Sequence, residues 1–237
     1  MSLQNAHLCD GWVLHRRPWR ESSVLLEFLS ESCGRVGLVA RGGRSERSPW
    51  RGLLEPFCPL SVRFSLKGDM GTVLDVEAID NRCVLLGEAL WCGLYVNELL
   101  MHLLGRDEPV VGLVANYGKL ITTLRENQSS SGALRRFEWA LLSALGVAPS
   151  LETDASDHSP ICEDGLYRLE LDHGFVQTRA SQGIVVSGRA LLWLLEEHSD
   201  PLSPENARAI RQVTRSLIDH QLGGRTLKTR EMIRSLR

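Results

Sequence analysis

The sequence predicts an α+β protein in which a small β-barrel is followed by a mainly α-helical region. Residues 11–80 contain five short apolar segments separated by Gly, Pro, Ser and Asp, and in 11–17, 35–40 and 60–66 apolar side chains alternate with others. This alternation is typical of strands that are buried on one face. From about residue 83 onward the apolar side chains recur every three or four positions instead, which indicates amphipathic helices. The change of period predicts two domains, residues 1–80 and 81–237.

The prediction of a barrel rests on the number of strands and on the turns between them. The predicted strands are residues 11–17, 24–29, 35–41, 60–66 and 72–77. Gly34 ends one predicted hairpin turn, and Gly68 lies in another. Five strands in so short a segment fit an OB-fold, a five-stranded barrel that binds oligonucleotides through one face and its loops in many proteins. A fold by itself does not assign a function.

The carboxy-terminal region is predicted to contain six helices and a small irregular insertion with a hairpin. The helical repeats cover residues 86–104, 111–125, 134–145 and 188–197, a long segment that begins at Pro204, and a short basic segment after Gly224. The insertion lies between the third and fourth helices. It is the polar segment 151–183, with a predicted hairpin over 167–178.

Charge is unevenly distributed along the chain, although its net value is only −2. Residues 1–67 contain ten Arg or Lys and six Asp or Glu, residues 68–204 contain nine and twenty, and residues 205–237 contain eight and three. Two basic ends around an acidic middle indicate a protein that binds a polyanion through particular surfaces.

The cysteines and the amino-terminal sequence predict a cytoplasmic protein. No two of the six cysteines form a CxxC pair, and most lie in apolar segments, where free thiols are typical of a reducing compartment. The first twelve residues lack the charged start and apolar run of a secretion signal. The apolar stretches are interrupted well before they reach the length of a bilayer.

The loop after the third predicted strand is the first candidate binding surface. It carries arginines among glycines and serines, together with one tryptophan, at Arg41, Arg44, Arg47, Trp50 and Arg51. Exposed guanidinium groups on a flexible backbone fit a polyanion, and an aromatic ring adds a face on which a base can stack. Arg35, at the start of the preceding strand, belongs to the same candidate nucleic-acid-binding set. Trp19 is a second residue on which a base could stack. The alternative interpretation is a solvated hairpin loop, with both tryptophans in the core.

A second candidate surface lies near the carboxyl end. Its cations recur on one face of the long predicted helix, opposite the apolar residues, and continue after a glycine pair, at Arg208, Arg211, Arg215, Arg225, Lys228 and Arg230. The polar face of a helix usually mixes charges of both signs, whereas this one is all arginine over two turns. We therefore predict a second contact with nucleic acid here. The alternative is a helix that only increases solubility.

Candidate catalytic residues are few. Asp75 and Glu77 alternate along one predicted strand and so share a face, as carboxylates of a metal-dependent nuclease do. A nuclease also requires a basic residue close by in the same element, or further carboxylates for a second metal ion. The segment after Glu77 supplies only an arginine. The serine-nucleophile, phosphate-loop and dinucleotide motifs do not occur, and His158 with Cys162 supplies too few ligands for a structural zinc. We therefore predict no catalytic residue, no metal and no cofactor, and we retain a nuclease only as the least favoured alternative.

Several short blocks, in one order along nearly the whole chain, resemble the RecO family of bacterial recombination mediators. The blocks are VLHRRPWRESS (13–23), GRVGLVARG (34–42), LEPF (54–57), GLYVNELL (93–100), LRRFE (134–138) and LGGRTLKTR (222–230). Each block alone is a weak signal, whereas the ordered set is specific. The resemblance implies an amino-terminal OB barrel, a helical carboxy-terminal domain and no enzymatic turnover.

The resemblance also implies a role in DNA repair and homologous recombination, in the cytoplasm at the nucleoid. Proteins of this family bind single- and double-stranded DNA and anneal complementary strands. With RecR they help RecA to replace the single-strand-binding protein SSB, whose acidic carboxy-terminal tail they bind. Many members carry a four-cysteine zinc module in the segment that corresponds to residues 151–183. This sequence keeps only Cys162 there, so zinc binding is not carried over.

The predicted site for the SSB tail combines cations with an apolar helix face, at Arg135, Arg136, Phe137 and Arg189. An acidic tail that ends in a hydrophobic residue requires charge for capture and a pocket for anchoring. A competing interpretation is that Arg135 pairs with Glu138 in a plain contact on the helix surface. For the chain as a whole, the alternative is an adaptor that recruits SSB and RecR without contacting DNA.

Overall fold

The computed structural model describes residues 6–80, 84–126, 130–196 and 201–235. The chain forms two compact units, one of residues 1–128 with 227–237 and the other of residues 129–226. Along the chain, the second unit is therefore inserted before the last segment of the first. The predicted boundary between residues 80 and 81 separates the strands of the barrel from the helices that follow, and it stays a prediction.

The amino-terminal strands form a closed five-stranded barrel. They are β1 (Ala6–Trp19), β2 (Ser23–Ser30), β3 (Gly34–Ala40), β4 (Pro59–Lys67) and β5 (Met70–Ala78). Their order around the barrel is β1-β2-β3-β5-β4, and the pairing of β1 with β4 closes it. All neighbours are antiparallel except β3 and β5, which are parallel. The prediction of an OB-like barrel followed by a helical region is confirmed.

The barrel closes around a core to which every strand contributes. Large side chains that are almost fully buried include Val13, Phe28, Leu38, Phe64 and Val73, one from each strand. Burial of these apolar surfaces is the main favourable term in forming the barrel.

The β2–β3 hairpin depends on a glycine. Gly34 has a φ of +66°, in the left-handed region that favours glycine, and a Cβ there would lie 2.2 Å from the carbonyl oxygen of Glu108. Any other residue would therefore displace the hairpin or the chain that packs against it.

Six helices lie in the described part of the chain. They are α1 (Gly87–Leu103), α2 (Leu113–Arg125), α3 (Ser130–Ala144), α4 (Gly188–Trp193), α5 (Pro204–Leu222) and α6 (Lys228–Ser235). The predicted fourth helix is shorter than expected, because Leu194 and Leu195 donate to carbonyl groups three residues earlier and so form a tighter turn. Its predicted last residue, Glu197, lies outside the described residues.

In the first unit, polar side chains join the barrel to the helices. The buried Asn97 amide of α1 donates to the carbonyl oxygen of Leu14 at 2.8 Å and accepts from the hydroxyl of Tyr117 at 2.7 Å. The Glu98 carboxylate accepts hydrogen bonds from Lys228 N at 2.8 Å, Thr229 N at 2.9 Å and the Thr229 hydroxyl at 2.6 Å. It thus caps the amino-terminal end of α6 and fixes this helix to α1.

The second unit combines α3, α4 and α5 with a small antiparallel sheet. Its strands are β6 (Leu166–Glu170), β7 (Gly174–Gln177) and β8 (Val185–Ser187), in the order β7-β6-β8. The predicted hairpin within residues 167–178 is confirmed as β6 and β7. The third strand was not predicted, because three residues are too few to display an alternating pattern.

The described cysteines differ in state. Cys9, Cys33, Cys92 and Cys162 are thiols, whereas Cys58 is disulfide-bonded. The expectation of free thiols is therefore wrong for Cys58, since its apolar surroundings suit a buried disulfide as well as a buried thiol. In the part of the chain that the structure describes, no helix has both the length and the apolar character required to span a membrane.

Candidate nucleic-acid interface

The loop between β3 and β4, residues 41–58, is ordered by its own turns. The hydroxyl groups of Ser45 and Ser48 each accept a hydrogen bond from the backbone N–H two residues further on, at 3.3 Å. The backbone N–H of Arg44 donates to the carbonyl oxygen of Ser22 at 2.8 Å, which attaches the loop to the β1–β2 turn. The loop therefore presents its side chains from a fixed backbone.

The four predicted loop arginines, Arg41, Arg44, Arg47 and Arg51, are exposed. Within the described ranges, no carboxylate lies at ion-pair distance from any of these guanidinium groups. Four solvated cations on one loop produce a positive potential that attracts anions.

A pocket of about 390 Å³ lies beside this loop, and it includes an arginine that sequence reasoning missed. Its lining comprises Arg16 of β1 together with loop residues Gly43, Arg44, Trp50, Arg51, Gly52, Leu54 and Glu55. The Arg16 guanidinium forms an ion pair with the Glu55 carboxylate. Trp50 is partly buried against the barrel core, as the core interpretation expects, and it also lines the pocket. Base stacking on Trp50 stays a prediction. Trp19 lies at the exposed end of β1.

Arg35 does not share the exposed position of the loop arginines. Its guanidinium is only 11% exposed, donates to the Glu27 carboxylate at 2.8 Å, and donates to the carbonyl oxygen of Leu104 at 2.9 Å. Arg106 pairs with the same carboxylate. The expectation of a phosphate contact at Arg35 therefore needs correction, because this cation neutralises a buried acid inside the first unit.

The carboxy-terminal cations fall into two groups. Arg208, Arg211, Arg225 and Lys228 are exposed. Arg215 pairs with Asp219 at 3.6 Å, and Arg230 lies over the ring of Tyr95 and donates to its hydroxyl at 3.1 Å. The apolar face predicted for α5 is buried, with Ile210, Val213 and Leu217 at its centre. Lys228 and Arg230 belong to the first unit and the other four to the second.

The residues predicted to bind the SSB tail occupy different environments within the second unit. Arg135 donates to the fully buried Glu138 carboxylate at 2.6 Å and to the Thr214 hydroxyl at 3.2 Å, and Phe137 is buried in the core. Arg136 lies over the ring of Trp193, with its guanidinium carbon 3.7 Å from the ring centroid.

Arg189, at the start of α4, is 67% exposed and lies 3.5 Å from Glu163. Arg136 of α3 thus contacts α4 through Trp193, and Arg189 lies about one turn before Trp193 in α4. Arg135 and Phe137 instead stabilise the fold. The competing interpretation, in which Arg135 pairs with Glu138, is correct, but the pair is buried and is not a contact on the helix surface.

The carboxylates considered for a nuclease do not form a cluster. Asp75 lies opposite Arg63 in the β4–β5 pairing and pairs with it at 3.5 Å, and Glu77 is exposed on the same strand. Among the described residues there is no group of three or more His, Cys, Asp or Glu side chains placed to hold a metal ion.

In residues 151–183, the segment that corresponds in position to the zinc module of many relatives, a buried carboxylate organises the chain. Asp154 accepts hydrogen bonds from the backbone N–H and hydroxyl of Ser156, at 2.7 and 2.6 Å, and from Gln177 N at 2.6 Å. Burial acts to raise the pKa of Asp154, but these hydrogen bonds outweigh it and the pKa is lowered. Cys162 is exposed, and it is the only cysteine within residues 151–183. These residues do not fit a tetrahedral thiolate site.

Comparison with known proteins identifies the family. Two family models match the chain. The model described as "Recombination protein O N terminal" matches residues 1–82, and the model described as "Recombination protein O C terminal" matches residues 87–231. The chain is 40% identical to the DNA repair protein RecO of Alkalilimnicola ehrlichii, over 95% of this chain and 90% of that one. It is 40% identical to the RecO protein of Halorhodospira halophila, over 96% of both chains, and 36% identical to that of Vibrio parahaemolyticus, over 93% and 90%. The chain therefore belongs to the RecO family of DNA repair proteins.

Proposed function

We propose that this protein is a recombination mediator that binds single- and double-stranded DNA without sequence specificity and anneals complementary strands. With RecR it helps to load RecA onto DNA coated with SSB. It acts in the cytoplasm, at the nucleoid, without a cofactor or enzymatic turnover. The observation that carries the proposal is the set of four exposed arginines on the β3–β4 loop, which have no carboxylate partner among the described residues.

The chemistry of these arginines suits annealing. Guanidinium groups bind phosphates, and phosphates are the same at every nucleotide, so contacts of this kind are independent of sequence. Two strands that are held by their phosphates repel one another less, and their bases remain available for pairing. The exposed cations of α5, Arg208 and Arg211, together with Arg225 and Lys228, are candidates for contacts with the second strand.

For the SSB tail, the proposed contacts centre on Arg136 and Arg189. Arg136 lies over the ring of the largely buried Trp193, and Arg189 precedes Trp193 by about one turn of the same helix. This combination suits an acidic peptide with a hydrophobic end. Arg135, which pairs with the buried Glu138, and the buried Phe137 stabilise this region.

The test is the binding of a labelled oligonucleotide, measured by fluorescence anisotropy over a range of salt concentrations. Replacing Arg44, Arg47 and Arg51 by Ala should weaken binding to single strands about tenfold or more at low salt. It should reduce the salt slope by about 2, since each phosphate contact contributes about 0.7. The control is Arg63→Ala. Arg63 is an exposed arginine of the barrel that lies outside the loop and pairs with Asp75. A wild-type protein without salt-sensitive binding would favour the adaptor alternative, and magnesium-dependent cleavage that Asp75→Asn abolishes would favour the nuclease.

Annealing of complementary strands coated with SSB provides the second readout. The triple loop variant should anneal bare strands more slowly. Arg136→Ala should impair annealing only on strands coated with SSB that carries its acidic tail. Equal losses with and without the tail would show that Arg136 does not serve this partner.

A further inference from the structure

The pocket beside the β3–β4 loop has two chemically distinct sides. Arg16, Arg44 and Arg51 supply three cations, while Trp50 and Leu54 supply an apolar surface. Its volume of about 390 Å³ lies at the lower end of the range for small-ligand sites. A ligand that fits such a pocket carries an anionic group and a flat apolar group, and it is not larger than one nucleotide unit.

One cation of the pocket is occupied by an internal anion. Arg16 of β1 pairs with Glu55, which lies 39 residues further along the chain in the loop. The two side chains are 35% and 46% exposed, so water competes for both groups. Ion pairs at such exposed positions contribute little to stability, and this pair can therefore exchange partners.

The anion that can replace Glu55 is a phosphate. Carboxylates and phosphates both accept paired hydrogen bonds from the guanidinium fork, with similar geometry. Glu55 thus offers Arg16 the same type of acceptor as a DNA backbone would. Arg44 and Arg51 line the same pocket and are not paired with a described carboxylate, so an entering phosphate meets them as well.

We propose that this pocket is a subsite for one nucleotide of single-stranded DNA, and that Glu55 acts as an internal competitor that holds Arg16 until a phosphate displaces it. Trp50 stacks on the base, while Arg16, Arg44 and Arg51 bind its phosphate. This inference rests on the proposed DNA binding and adds two residues to it. Arg16 is a further phosphate ligand, and Glu55 restricts the affinity.

The test compares charge removal at Glu55 with the same charge removal elsewhere in the loop. Glu55→Gln keeps the shape of the side chain but frees Arg16. Glu46→Gln removes an equal charge from an exposed residue of the same loop that does not line the pocket. Both variants, Arg16→Ala, and the double variant Arg16→Ala/Glu55→Gln are measured as full chains with labelled oligothymidine by anisotropy at several salt concentrations.

The salt slope is the decisive quantity. In the wild type the displaced Glu55 carboxylate offsets the charge of Arg16, so this contact neutralises little net phosphate charge and releases few cations from the DNA. In Glu55→Gln the charge of Arg16 is no longer offset, so Arg16 neutralises one phosphate and releases its cation; the slope should become steeper by about 0.7 and binding at low salt should tighten several-fold. The double variant should return to the wild-type slope, and Glu46→Gln should not depart from it.

Three results would overturn the competitor role. They are an unchanged slope in Glu55→Gln, a steeper slope that persists without Arg16, or the same change in Glu46→Gln. If the wild type itself binds DNA without salt dependence, the proposed function fails together with this inference. If the wild type binds DNA with a salt dependence and Glu55→Gln has the same salt slope and affinity, the inference fails and the proposed function stands.

The position of the base is tested separately with Trp50→Leu, which retains an apolar side chain against the barrel core. Base stacking does not depend on salt in the way that phosphate contacts do, so affinity should fall several-fold with an unchanged slope. Circular dichroism verifies the fold. Full affinity in a folded Trp50→Leu variant would reject the nucleotide assignment.

Discussion

The arginines of the β3–β4 loop and those of the interior have the same side chain in opposite surroundings. Arg35, Arg125 and Arg135 are only 11–14% exposed, and each meets a carboxylate at 2.6 to 2.9 Å. The loop arginines are exposed and meet none within the described residues. The position of the acidic residues therefore decides which arginines hold the fold and which are available to a ligand.

The largest effect on stability is expected where a buried arginine loses its partner. Glu138→Ala removes a fully buried carboxylate and leaves the Arg135 guanidinium without its ion pair. Removing one partner of a buried pair costs about 3–5 kcal/mol of the free energy of unfolding. Denaturation by urea measures this loss.

The exposed pair of Arg189 with Glu163 provides the contrast to Glu138. Glu163→Ala should change the free energy of unfolding by at most about 1 kcal/mol, because both side chains are largely solvated. A similar loss in Glu138→Ala and Glu163→Ala would break the distinction between internal and exposed arginines.

An intermediate effect is expected at Asp154, a buried carboxylate that serves backbone donors instead of an arginine. Asp154→Ala leaves the N–H groups of Ser156 and Gln177 without an acceptor and should cost about 1–3 kcal/mol.

The contribution of Asp154 should also depend on pH. Because the pKa of Asp154 is lowered in the folded state, its stabilisation is fully present above the ordinary Asp pKa of 3.8. It is lost as the pH falls through the lowered value. Unfolding free energies of wild type and Asp154→Ala should therefore converge below pH 3.8, and a constant difference throughout acidification would contradict this account.

A small effect on stability is also expected from the loop variant in which Arg44, Arg47 and Arg51 are Ala. Exposed substitutions of this kind change the free energy of unfolding by about 0.5 kcal/mol or less each. Thermal or urea denaturation should therefore match the wild type although DNA binding is weakened. A strongly destabilised variant would place these arginines among those that hold the fold.

Much of the fold was predictable because local patterns survive in the folded chain. The five strands of the barrel and the six helices were identified from apolar patterns and from the glycines and prolines that interrupt them, and the caps of α5, Ser203 and Gly223, follow the usual preferences for helix ends. The parallel pairing of β3 with β5 was not predictable, since closure of the barrel depends on contacts between segments far apart in sequence.

The candidate site was predictable only in part, because some of its residues are placed by contacts between segments far apart in sequence. The exposure of the loop arginines could be predicted from the glycines and serines around them. The role of Arg35 could not be predicted in this way, because it depends on its contact with Glu27. A single acid in the apolar strand VLLEFL was a usable signal, because a buried carboxylate requires a cation. Arg16 gave no comparable signal, since its position at the pocket follows from the packing of the loop against β1.

The cap that Glu98 places on α6 has a consequence for biosynthesis. Glu98 belongs to a segment that leaves the ribosome early, whereas Lys228 and Thr229 follow only after the whole inserted unit has been made. The amino-terminal unit therefore cannot acquire its last helix during translation of its own first 128 residues. This helix is added only after the inserted unit has been synthesised, and a chain that stalls before residue 227 would leave the Glu98 carboxylate on α1 without these donors.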